Sequence, residues 1–242
     1  ARKYLTDQLG KKVSDQWASI GHSQGGHAVL GAAQYASRAQ LNYKGTVAIA
    51  PASNLASILT IGEQQASTLP INYQIQMLAQ LDTYTALIVA GMQGHNKSVT
   101  YNEVFKNDTV ILAPIAEAEC SSTVGVQLGT AMSIYAAGIG QGTLTGYGRL
   151  QSGFMSIPVI DTFLKKDSQP GLAPLNKKVF IYQGEADTTV PKAATDLLIA
   201  SMKANGTSAS NIQYTTSAAW DHGTVYTQNY TSFVDNIDSL FQ

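Results

Sequence analysis

A chain of 242 residues with 15 basic and 16 acidic side chains, a net charge of −1 and only 13 % charged residues has no electrostatic reason to bind nucleic acid. It is long enough for one domain with a sizeable core, and no stretch is apolar for long enough to span a bilayer. Cys120 is the only cysteine, so no internal disulfide can close. No cluster of Cys, His and carboxylates points to a metal, and no cofactor is expected.

In chain order, Ala1 to Ser14 reads as a helix and Trp17-Ala18-Ser19-Ile20 as a buried strand. Gly21-His22-Ser23-Gln24-Gly25-Gly26 follows, a G-x-S-x-G pentapeptide with one further glycine. A serine hydroxyl is a poor nucleophile unless the backbone presents it to a base. A tight strand-to-helix turn does so, and the residues two before and two after the serine must then be small enough for strand and helix to pass closely. Gln24 to Ala39 reads as the helix, with Ala28, Gly31, Ala32 and Ala36 as a small face that can pack on a sheet. Gly45-Thr46-Val47-Ala48-Ile49-Ala50-Pro51 is the next strand, running into a loop.

The stretch from there to Val179 is an insertion. Within it, 71–91 reads as a helix through Ile75, Leu78, Leu81, Leu87 and Ile88, and 124–139 as a second through Val126, Leu128, Met132, Ile134 and Tyr135. Gly138 to Gly148 is glycine-rich, and reads equally as a lid hinge or an ordinary loop. N-x-[ST] sequons begin at Asn96, Asn107, Asn205 and Asn229, and matter only where the source glycosylates.

Beyond the insertion, Lys178 to Gly184 reads as an apolar strand entering a polar turn, Glu185-Ala186-Asp187-Thr188-Thr189-Val190, with Pro191 opening the next helix. Asp187 thus lies just past a strand's carboxyl end, where open parallel sheets place functional residues. Ile212 to Thr216 alternates as a last strand. His222 follows in the loop Trp220-Asp221-His222-Gly223, before an amphipathic helix through Tyr230, Phe233, Val234, Ile237 and Leu240. His22 and His27 belong to the elbow and its helix, and His95 to a polar stretch, which leaves His222 as the candidate base. Asp221 adjoins it in sequence and should point elsewhere, and Glu185 lies early in its turn, so Asp187 is the candidate acid. The order Ser, Asp, His is that of a nucleophile elbow followed by its orienting acid and base.

The elbow, the strand and turn from Val179 to Pro191 with its G-E-A-D-x-x-V-P run, and the Asp221-His222-Gly223 tail resemble the α/β-hydrolase fold, and more narrowly the secretory lipases of the lipase A type. The resemblance covers nearly the whole chain in element order. It implies an α/β fold with a mostly parallel sheet flanked by helices, a catalytic core at 1–54 and 155–242, and a mainly helical cap at 55–154. It also implies Ser23 as nucleophile, His222 as general base and then acid, Asp187 as orienting carboxylate, and the Gln24 backbone N–H as one oxyanion donor. In the resembled lipases the cap binds the acyl chain, so the helices at 71–91 and 124–139 are expected to contribute to substrate binding.

The substrate so implied is a lipid or small-molecule ester. Transient contact with a lipid interface is expected, and the low charge with abundant Ser, Thr, Asn, Gln and Tyr fits a secreted enzyme. A serine peptidase or amidase of the same fold, and a hydrolase-like binding protein without activity, are the alternatives. In the resembled fold several strands precede the elbow, and a loop among them supplies the second oxyanion donor. Here only Ala1 to Ser14 precede it. The expectation is therefore that an N-terminal polypeptide, cleaved from a precursor or separate, completes the sheet and supplies that donor.

Overall fold

The computed structural model describes residues 2–10 and 13–242. Its elements are α1 (Arg2–Leu9), β1 (Gln16–His22), α2 (Gln24–Gln34), β2 (Asn42–Ile49), α3 (Leu55–Ala66), α4 (Ile71–His95), α5 (Tyr101–Val104), α6 (Asp108–Leu112), α7 (Ser121–Ala137), α8 (Pro158–Thr162), β3 (Lys178–Gly184), α9 (Lys192–Ala204), β4 (Ile212–Ser217), α10 (Thr224–Thr227) and α11 (Tyr230–Leu240). They fall into two compact units, Ala1–Ile58 with Ser168–Gln242, and Leu59–Asp167.

The first unit is a four-stranded sheet in the order β1-β2-β3-β4, parallel throughout. β2 and β3 are buried along nearly their whole length, which explains why Val179-Phe180-Ile181-Tyr182 is continuously apolar instead of alternating. One face of the sheet packs Ala48, Val179 and Ile181 against Leu30 of α2 and Leu198, Ile199 and Met202 of α9. The other packs Val47, Ile49, Phe180 and Tyr182 against Val225 of α10 and Phe233 and Leu240 of α11. Helices on both faces leave the carboxyl ends of β1, β2 and β3 side by side, with His22 opposite Ile49 and Ile49 opposite Tyr182. The elbow and the acid turn both leave the sheet from these ends.

Three local expectations change. α2 stops at Gln34, and a 3₁₀ turn covers Ala36–Ala39. Its sheet-facing residues are Gly26, Val29, Leu30 and Ala33, while Ala28 and Ala32 are exposed. The cause is the elbow. Gly26 is pressed against the Ile49 carbonyl and the Pro51 Cα, so closely that a Cβ would not fit, and this contact sets the phase of the helix. Pro191 precedes α9 as its N-cap, with ψ of 135° keeping it extended.

In the second unit α4 runs on to His95, whose side chain lies outside the described residues, and α7 spans Ser121–Ala137. α7 ends because the Gly138 N–H is shared between the Ile134 and Tyr135 carbonyls. α4 and α7 pack together. Ile75, Leu78 and Leu81 of α4 and Val124, Leu128 and Met132 of α7 are buried, while Val126 and Ile134 are 68 % and 69 % exposed. The apolar residues of α7 therefore form two faces, one in a core and one bare. Arg149 joins α3 to α4, holding the Asp82 carboxylate at 2.9 Å through Nε and Nη2 and pairing with Glu63. Burial pushes the Asp82 carboxyl up to about 6 and raises Glu63, against the pull of Arg149. The glycine-rich stretch is a series of turns in which the Thr145 carbonyl accepts from the Tyr135 hydroxyl at 2.7 Å. Among the described residues no helix is long and apolar enough to cross a membrane.

Candidate active site

Ser23 has φ 59° and ψ −118°. A non-glycine residue rarely adopts positive φ, and such backbone costs roughly 1–3 kcal/mol. The surroundings hold it there from both sides. Its N–H donates to the Ile49 carbonyl at 2.8 Å, and its carbonyl accepts from His27 at 3.0 Å and Ala52 at 3.2 Å. A serine at a helix start ordinarily turns its hydroxyl back to cap the first turn. Ser23 makes no such cap bond to α2, so the hydroxyl is not spent on the helix.

The glycines divide this work unequally. A Cβ on Gly21 would overlap the Gly25 carbonyl, and one on Gly26 would press on β2, but one on Gly25 would meet open space. The need for small residues on both sides of the serine therefore falls on Gly21 and Gly26. Gln24 is the first residue of α2, where backbone N–H groups have no partner within the helix and the helix dipole favours negative charge. Such a position can stabilise an oxyanion.

Asp187 is buried at the turn after β3, and its Oδ2 lies 2.7 Å from His222 Nδ1. Its Oδ1 accepts from the backbone N–H groups of Thr189 at 2.9 Å and Val190 at 2.8 Å. The carboxylate is thus oriented by its own turn, with one oxygen left for the imidazole. Gln183, fully buried on β3, donates to Asp187 Oδ2 at 3.2 Å and to the Val190 carbonyl at 2.9 Å, while its own oxygen accepts from Thr195 at 2.7 Å. The acid turn and the histidine loop are zipped together by backbone bonds, Glu185 N–H to the Ser217 carbonyl and Ala186 N–H to the Trp220 carbonyl, both at 3.0 Å. Gly184 makes this approach possible, since a Cβ there would overlap the Trp220 carbonyl.

The other two carboxylates are occupied elsewhere. Asp221 is exposed and accepts from the N–H groups of Gly223 and Thr224 and the Thr224 hydroxyl. The bonds from Thr224 hold its carboxyl below the usual range. Glu185 accepts from the Thr216 hydroxyl on the surface.

The structure brings His222 to Asp187 through a side-chain bond and to the elbow through His22. The His22 and His222 rings lie 4.6 Å apart, and His22 Nε2 is 2.8 Å from the His222 carbonyl. Burial lowers the His22 pKa, so the ring is neutral at pH 7 and Nε2 carries the proton it donates. Sequence reasoning passed over His22, Gln183 and Gly184. Only Gln183 left a signal, a lone amide in an apolar strand.

No family model matches the sequence, and no curated protein does. Solved structures do. A candidate hydrolase of Legionella pneumophila superposes with a TM-score of 0.68 at 13 % identity, over 98 % of this chain and 60 % of that one. The ligand-bound form of the rice cell wall degrading esterase LipA from Xanthomonas oryzae superposes with a TM-score of 0.63 at 14 % identity, over 99 % and 61 %. Candida antarctica lipase A in its closed state superposes with a TM-score of 0.64 at 13 % identity, over 98 % and 51 %. At these identities the likeness is one of fold. The chain has the α/β-hydrolase fold, and spans between 51 % and 61 % of the length of these three neighbours.

Proposed function

We propose that this chain carries the serine site of a carboxylic ester hydrolase, a lipase or esterase, with Ser23 as nucleophile, His222 as base and then acid, and Asp187 as the carboxylate that orients it. The reading is carried by one observation: a buried carboxylate 2.7 Å from the Nδ1 of a histidine that packs on the residue preceding an elbow serine. With Nδ1–H donating to Asp187, His222 Nε2 is bare and can take a proton. Ser23 Oγ attacks the ester carbonyl carbon as its proton passes to Nε2. The negative oxygen of the tetrahedral intermediate is stabilised by the Gln24 N–H at the start of α2. His222 then protonates the departing alcohol, leaving an acyl-enzyme, and water repeats the sequence in reverse to release the acid and restore Ser23. That two fold neighbours are an esterase and a lipase favours esters over amides for the same machinery.

The test is turnover of p-nitrophenyl esters of short and long acyl chains, beside an aminoacyl amide, by wild type and Ser23→Ala. Ester turnover should fall by about 10⁴-fold or more in the variant, and the amide should be a poor substrate. Unchanged ester turnover by Ser23→Ala would refute the mechanism.

A further inference from the structure

His222 lies in the short loop between β4 and α10. Asp221 and Gly223 on either side of His222 are exposed, and α10, which follows, is one turn long. Two anchors fasten His222 itself. Asp187 holds its side chain at Nδ1, and His22 Nε2 holds its backbone carbonyl at 2.8 Å. His22 is in turn fixed by strand pairing with Ile49, the residue whose carbonyl also accepts the Ser23 N–H. The Tyr226 ring of α10 lies on the same imidazole, centroids 5.6 Å apart. His22 is thus covalently joined to Ser23 and hydrogen-bonded to His222.

We propose that His22 is a positioning residue that sets the spacing of nucleophile and base, by donating its Nε2–H to the His222 carbonyl while its ring lies against the His222 ring. The proposal rests on the ester hydrolase reading above, since it assigns His22 a part in that reaction only. It makes three demands on the residue before the serine. A donor must reach as far as an imidazole Nε2, a flat group must face the base, and the group must be uncharged when an imidazolium forms beside it. The charged groups facing His22 are His222 and Asp187, and a cation at His22 would oppose the proton transfer to His222. Burial keeps the ring neutral at pH 7.

The experiment compares His22→Gln, whose amide nitrogen reaches the position of Nε2, with His22→Asn, whose amide falls short of it, and His22→Phe, which keeps a ring without a donor. All are made in the protein's native polypeptide context. The readouts are kcat and KM for a short p-nitrophenyl ester, the rate at which a p-nitrophenyl phosphonate modifies Ser23, and the thermal midpoint. His22→Asn and His22→Phe should lose about tenfold to a hundredfold in kcat and in phosphonylation rate, the scale of a small misplacement of reacting groups, with KM little changed. His22→Gln should recover most of both rates. Equal rates for the Gln and Asn variants, or wild-type rates for Phe, would overturn the proposal, as would losses that merely track a falling thermal midpoint. An active wild type labelled at Ser23 but indifferent to these variants defeats this proposal alone, whereas turnover that survives Ser23→Ala defeats the underlying reading.

Discussion

Asp187 shows how one residue's surroundings decide its chemistry. Oδ1 is committed to two backbone N–H groups of its own turn, so Oδ2 alone faces His222 Nδ1 and the Gln183 amide. Asp187→Asn should keep the Oδ1 bonds and therefore the turn, but it sets an amide donor where two donors already point. The imidazole must then move its proton to Nε2, the atom that accepts one from Ser23 in the proposed mechanism. A change of tautomer of this kind in a serine triad costs about 10⁴ in kcat. The expected result is a loss on that scale in ester hydrolysis, with a thermal midpoint within a few degrees of wild type. Wild-type kcat in Asp187→Asn would remove Asp187 from the mechanism. The positions of Ser23, Asp187 and His222 were legible because each stands at a local landmark: a glycine elbow, the turn after an apolar strand, and the loop after the last strand. The contacts of Gln183, Gly184 and His22 were not, because each is made with residues distant in sequence through packing that no short motif encodes.

At the level of elements, the same limit appears in helix phase and in buried charge. The small face of α2 was misassigned because periodicity alone cannot say where a helix meets the sheet, and here the elbow decides by pressing Gly26 onto β2. The pairing of Asp82 on α4 with Glu63 on α3 through Arg149 was equally invisible, yet it has a measurable consequence. One guanidinium serves two carboxylates, and Asp82 is fully buried, with its carboxyl pushed from 3.8 up to about 6. Between those values the folded chain binds more protons than the unfolded chain, so stability falls as pH rises. The contribution is fully present below the unfolded value and is lost as pH rises through about 6, with each unit of pKa difference worth about 1.4 kcal/mol. Asp82→Asn leaves Glu63 to balance Arg149 and should remove this slope. Denaturant unfolding at several pH values from acid to neutral checks it. Wild type should lose stability across this range relative to the variant, and parallel profiles would show that the carboxyl titrates as an ordinary surface group.

Over the whole molecule, β1 and β4 form the two edges of the sheet among the described residues. Along β4 stand Gln213, Thr215 and Thr216, beside Ile212 and Tyr214. β1 carries Trp17, Ala18 and Ile20, and Ile20 is 47 % exposed. Beside it a groove of about 410 Å³ runs between Ile20, His22, Tyr226, Phe233 and Ile237. An apolar strand edge with unpaired N–H and C=O groups is a template for another strand, and an apolar groove next to it would take that segment's side chains. The elbow bears on the same need, because the proposed mechanism assigns one donor, the Gln24 N–H, and losing one of a pair of oxyanion donors costs about 10² to 10³ in kcat. We propose that a further strand-forming polypeptide segment pairs along β1 and brings a second donor to Ser23. Intact mass and N-terminal sequencing of the active protein from its source decide this when read beside specific activity. A further polypeptide segment should accompany the activity, and stripping it should lower kcat by about the cost of one donor. A monomeric species of 25.7 kDa with full activity would overturn the expectation and require the second donor to come from within the chain.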